Sequence, residues 1–91
     1  MVYKVETSKR FRKDIERCIK RGLDEENLWK VVDMLAMNMV LPARYNDHRL
    51  LGEFSGYREC HIEPDWLLVY KKEKDDLILV LTRTGTHSDL F

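Results

Sequence analysis

An α+β domain with the order β-α-α-β-β-β, an antiparallel sheet with an N-terminal helical hairpin on one face, is the fold this sequence predicts. Three observations point to it. The first third carries two segments of helical apolar period, separated by a glycine and an aspartate. The last third carries three runs rich in Val, Ile, Leu, Tyr and Trp, joined by links short enough for hairpins. The 91 residues leave room for one core, so residues 1–91 form a single domain.

The elements follow in order. "MVYKVE" is short and rich in β-formers, a first strand. In "TSKRFRKDIERCIKRG" the period changes: Phe11, Ile15, Cys18 and Ile19 make one helical stripe, Thr7 or Ser8 caps its start, and Gly22 ends it in a left-handed turn. "DEENLWKVVDMLAMNM" restarts the helix behind Asp24, with Leu28, Val31, Val32, Leu35 and Met39 as its stripe; Pro42 forces the chain out. So short a link makes the two helices an antiparallel hairpin. Leu41 to Ser55 reads mostly as loop. The strands "YRECHI", "WLLVYKK" and "LILVLTRT" complete the sheet, with Cys60, Ile62, Leu67, Val69, Ile78 and Val80 assigned to the helix-facing side.

Composition bounds the function. A hydrophobic fraction of 44% argues for a folded domain, and no run approaches the roughly 18 apolar residues of a membrane span. "MVYKVETSKR" lacks the order of a signal peptide, so the expected location is the cytoplasm and no membrane partner is expected. Cys18 and Cys60 match no zinc or redox spacing and read as small buried hydrophobes. The formal net charge is zero, yet residues 1–21 hold eight Lys/Arg against three Asp/Glu, a local basic face suited to phosphate.

The titratable groups gather in the second half. With two-residue loops at Glu63-Pro64 and Lys74-Asp75, His61 lies opposite Trp66 and Trp66 opposite Arg83, one row across three strands with Asp65 beside it. His48 lies in the loop feeding the sheet, and His87 follows the last strand, where Gly85 permits a change of direction. Imidazoles accept and donate protons near neutral pH, and arginine offers a fork fitted to phosphate oxygens. Cleavage of RNA through its own 2′-hydroxyl needs that set: a base, a cation for the phosphorane and an acid for the leaving 5′-oxygen. The chemistry requires no cofactor, and the histidine spacing matches no familiar metal motif.

"YNDHRLLGEFSGYRECHIEPDWLLVYK" followed by "LTRTGTHSDLF" resembles the YafQ branch of the RelE/ParE toxin superfamily, strongly from Tyr45 to Phe91 and by order and length before that. The combination of "DH.L.G…GYR..H.EPDW…Y" with a terminal "RTGTH..LF" is highly specific. The resemblance implies a RelE-like fold and a ribosome-dependent endoribonuclease that cuts mRNA in the decoding site. It puts the catalytic histidines on His48, His61 and His87, the acidic residue on Asp65, the phosphate-stabilising arginine on Arg83 and the terminal aromatic on Phe91. The general acid falls on His87, while His48, His61 and Asp65 are all candidates for the base. Trp66 is either a substrate contact or core; Tyr57 and Arg58 are lesser candidates for RNA contact. The implied partners are the ribosome with its mRNA and a cognate antitoxin, with operator DNA engaged only through the antitoxin complex. Such toxins tend to be basic, so the neutral charge here implies weaker, more salt-sensitive docking. The rival readings are a ParE-like toxin, which generally lacks this set of histidines, and an interaction module acting by protein binding alone.

Overall fold

The computed structural model describes residues 2–91; Met1, with which the first predicted strand begins, lies outside the described residues. The elements are β1 (Lys4–Thr7), α1 (Lys9–Lys20), α2 (Glu25–Ala36), β2 (His48–Arg49), β3 (Arg58–Glu63), β4 (Trp66–Glu73), β5 (Ile78–Gly85) and α3 (His87–Leu90). The predicted order is present, with two short additions, β2 and α3. The sheet runs β1-β5-β4-β3-β2 and is mixed rather than wholly antiparallel, because β1 joins β5 in parallel.

Local chemistry sets the helix ends. Ser8, not Thr7, caps α1 by accepting the Phe11 N–H, and Asp24 caps α2 through the Glu26 N–H. Both helices end in a Schellman pattern around a left-handed residue. Gly22 (φ +90°) donates to Ile19 while Leu23 donates to Cys18; Asn38 (φ +59°) donates to Leu35 while Met39 donates to Met34. Helix α2 therefore stops at Ala36, short of the predicted Met39, whose side chain is 54% exposed. No helix among the described residues is long and apolar enough to cross a membrane.

Phe11, Cys18, Leu28, Val31, Val32 and Leu35 pack on Cys60, Ile62, Trp66, Leu68, Tyr70, Leu79 and Leu81 of the sheet. The predicted face is correct for β3 and inverted for β4 and β5. The cause is a one-residue slip: the first hairpin turns on Pro64-Asp65 and Ile62 forms a bulge, so His61 pairs with Leu67 and not with Trp66. The second turn is also longer than predicted, Lys74 to Leu77, with Leu77 at φ +54°. Both cysteines are buried and unpaired, and burial pushes the Cys60 thiol up to about 12, which keeps it protonated and inert.

Candidate functional site

Cross-strand partners share a face of the sheet, so the register assembles the site. His48 pairs with Glu59, Glu59 with Val69 and Val69 with Arg83, one row across β2, β3, β4 and β5. The next row holds His61, Leu67 and Gly85. This face is turned away from the helices. A bulge decides that Arg83 belongs to it: Tyr70 pairs with Leu81 and Val69 with Arg83, leaving Thr82 unpaired. Without that extra residue Arg83 would point with Leu79 and Leu81 into the core.

Three imidazoles converge beside this row. The rings of His48 and His61 lie 6.4 Å apart, and those of His61 and His87 5.8 Å apart. Glu59, 5% exposed, sits between the first two, with Oε1 3.6 Å from His48 Nε2 and 3.7 Å from His61 Nε2. His48 Nδ1 lies 2.7 Å from the Asn46 carbonyl, which only accepts, so Nδ1 carries the proton and Nε2 faces the site. His87 Nδ1 lies 3.1 Å from Asp65 Oδ1, and its backbone N–H also donates to that oxygen. Those two hydrogen bonds hold the Asp65 carboxyl below its ordinary range, so it is an anion at neutral pH and His87 Nδ1 is again the donor. Two histidines thus present Nε2, each oriented by an acceptor behind it. His87, expected only to follow the last strand, opens the one-turn α3. Phe91, 59% exposed, follows that turn, and its ring meets Phe54 edge to face at 5.4 Å.

Arg83 is on the same face but not in contact with the histidines; its strand position is about 10 Å from that of Glu59, two strand spacings. Its guanidinium is turned to helix α1, where Asp14 accepts from Nε at 2.7 Å and Nη2 at 3.2 Å. Asp14 raises the Arg83 pKa further, so the charge is permanent. Arg10, Lys13 and Arg17 line the open cleft of about 380 Å³ around this pair.

For Trp66, left open between substrate contact and core, the structure favours the core. It is 1% exposed, belongs to the core, and donates Nε1–H to Thr84 Oγ1 at 2.9 Å. Trp66→Phe is expected to lower stability by about 1–3 kcal/mol in urea denaturation, through the lost bond and lost volume, with the cleavage rate of the folded protein unchanged. A rate loss at full stability would return Trp66 to the substrate. Tyr57 and Arg58 are not brought to the histidines either. They line a different cavity of about 560 Å³ with Asp47, Met39 and Tyr70, where Arg58 bonds Asp47.

Two residues went unread in the sequence. Glu59 precedes His61 by two, which on a strand means the same face. Asp14 is an acid inside a basic helix, three residues before Arg17, whose Nη2 it accepts at 2.7 Å.

The family described as "Bacterial toxin of type II toxin-antitoxin system, YafQ" matches residues 3–91. The chain belongs to this family. It is 43% identical over 88 residues to the "mRNA interferase toxin YafQ" of Escherichia coli strain K12, covering 96% of this chain and 94% of that protein. The crystal structure of a metal-bound toxin from Helicobacter pylori superposes with a TM-score of 0.93 at 46% identity, over the full length of both chains. The toxin in the E. coli DinJ–YafQ complex superposes with a TM-score of 0.88 at 42% identity, over 98% of each chain. With the YafQ family in hand, the cluster can also be tested for metal. Ligand atoms of Glu59, His61 and His87 lie within 4.8 Å of one another. Two imidazoles and a carboxylate are a donor set that zinc accepts, and metal bonds of about 2.0–2.2 Å would draw them closer. Sequence spacing did not anticipate this trio, because its members come from two elements.

Proposed function

We propose that this chain is a ribosome-dependent mRNA endoribonuclease, the toxin of a type II pair, cutting through the RNA 2′-hydroxyl by acid–base chemistry in the cytoplasm. The observation that carries the reading is the convergence of His48, His61 and His87 around Glu59, with His87 backed by Asp65. Removal of the 2′-hydroxyl proton falls to the His48–Glu59–His61 group. His87, its Nδ1 held by Asp65, delivers a proton from Nε2 to the departing 5′-oxygen. Arg83 supplies a fixed positive charge for the phosphorane. Its Nη1 has no acceptor among the described residues, and its other donors are clamped by Asp14.

A neutral chain binds RNA only where its charge is concentrated. Arg10, Lys13 and Arg17 continue the positive surface from Arg83 along α1, which suits the backbone of mRNA or ribosomal RNA. Phe91 and Phe54 offer an aromatic ledge beside His87 on which a base can stack. Unchecked cleavage would harm the host, so a cognate antitoxin covers this face, and operator DNA is met only through that complex.

The test is to map the 5′ ends of cellular mRNA after induction of the toxin. Cuts at a fixed codon position within translated frames are expected. Uniform degradation would remove the ribosome from the reading, and DNA damage with intact mRNA would favour a ParE-like action.

A further inference from the structure

The four residues of α3 carry His87, yet a single helical turn has no stability of its own. Something else must fix it. Thr86 Oγ1 accepts the Asp89 N–H and Asp89 Oδ2 accepts the Thr86 N–H, a closed capping box across the turn. The same Asp89 carboxylate receives a two-pronged grip from Arg21, Nη1 to Oδ2 at 2.6 Å and Nη2 to Oδ1 at 3.1 Å. Asp89 folds so closely over Gly85 that a Cβ there would lie 2.8 Å from its Oδ2. The turn is thereby pressed against the end of β5.

Arg21 is well placed to hold it. It is the C-cap of α1, its own N–H bonded back to Arg17 and Cys18, with Gly22 locking the chain direction behind it. Helix α1 is in turn fixed to β5 through Ser8 on the Thr82 carbonyl and Asp14 on Arg83 and Thr84. A rigid path therefore runs from the helix through one ion pair to the residue two beyond His87. Asp89 is 11% exposed at its side chain, so the pair is shielded on one side, and its carboxyl is held well below the usual carboxylate range by Arg21.

We propose that Arg21 and Asp89 form a latch that positions the His87 imidazole for proton transfer without touching the RNA. The proposal rests on the reading of His87 as the acid. Asp65 restrains the ring at Nδ1, and the latch restrains the backbone from which the ring projects. With the latch open, α3 keeps its cap, the exposed Asp65 contact and the Phe91–Phe54 contact but loses its tie to helix α1, and a displacement near 1 Å of a catalytic group costs up to about 100-fold in rate.

The experiment compares Arg21→Gln and Arg21→Lys in two backgrounds, the unaltered toxin and His87→Ala, using single-turnover cleavage of mRNA on programmed ribosomes. Arg21→Gln is expected to lower the saturating rate about 10- to 100-fold with the ribosome concentration for half-saturation unchanged. Arg21→Lys, which keeps the charge but not the fork, should recover part of that loss. In the His87→Ala background Arg21→Gln should cost nothing more, because the group it positions is gone. An unaltered rate in Arg21→Gln would overturn the latch. So would weaker ribosome binding at an unaltered saturating rate, which would make Arg21 a plain RNA contact, and so would an equal loss in both backgrounds. A fully active His87→Ala would instead overturn the assignment of the acid beneath it.

Discussion

His87→Ala is expected to lower the rate of mRNA cleavage by about 10²–10⁴, the usual cost of deleting a general acid, while the fold survives. The two halves of that expectation have different physical sources. Structurally the imidazole is 58% exposed, and its one polar partner, Asp65, is 68% exposed. Exposed pairs of this kind contribute little to stability, so urea denaturation should move by no more than about 0.5–1 kcal/mol. Chemically, the ring is, among the described residues, the only proton donor on that side of the cluster whose orientation is set by a carboxylate. Asp65→Asn sharpens the test. It keeps the shape but offers an amide in place of the anion, which no longer enforces Nδ1–H, so it should cost rate without stability as well. Primer extension on translated mRNA, run beside the denaturation curves, checks both. Wild-type cleavage by His87→Ala would remove acid catalysis from this imidazole, and the toxin would then have to act by binding.

Much of the fold was legible because two physical signals are strong in this chain. The stripes Phe11–Cys18 and Leu28–Leu35 read as helices and are buried as such, and Ser8, Gly22 and Asp24 mark helix ends as their chemistry requires. Ile19 belonged to the same stripe by spacing yet is 45% exposed, beside a fully buried Cys18. Register was not legible. Glu63-Pro64 and Pro64-Asp65 are both acceptable turn pairs, and either alone keeps Trp66 on the His61 face; the bulge at Ile62 is what moves Trp66 to the core. The bulge at Thr82 leaves no trace in composition, and it alone turns Arg83 outward. The parallel β1–β5 pairing joins strands from opposite ends of the chain, where no turn constrains direction. For the site, the histidines stood out because there are only three, whereas Glu59 and Asp14 are two of sixteen acidic residues and became visible only when burial singled them out. The spacing of Thr86 and Asp89 was a readable cap, but one turn is too short for periodicity to announce a helix.

Asp14→Ala is expected to be the most damaging single substitution on α1, costing about 3–5 kcal/mol of stability. Asp14 is 3% exposed and gathers four donors: Arg17 Nη2, Arg83 Nε, Arg83 Nη2 and the Thr84 N–H. Removing it leaves the Arg83 guanidinium, 16% exposed, without its counter-charge, and leaves a buried backbone N–H with no acceptor. Thr84 is also the residue that receives Trp66 and donates to the Leu67 carbonyl, so the loss reaches β4. Asp14→Asn separates the two roles. Its amide oxygen still accepts from Thr84, so most of the packing persists, but it no longer fixes a guanidinium by charge. That variant should fold with a smaller loss of about 1–3 kcal/mol, and Arg83 should be free to swing. Its cleavage rate should fall at saturating ribosomes while binding holds, because the phosphorane loses a fixed cation, not a docking contact. Arg83→Ala should give the same kinetic loss, and combining it with Asp14→Asn should add little to that loss. A stable, fully active Asp14→Asn protein would mean that Arg83 needs no clamp, and that the carboxylate under helix α1 serves the fold alone.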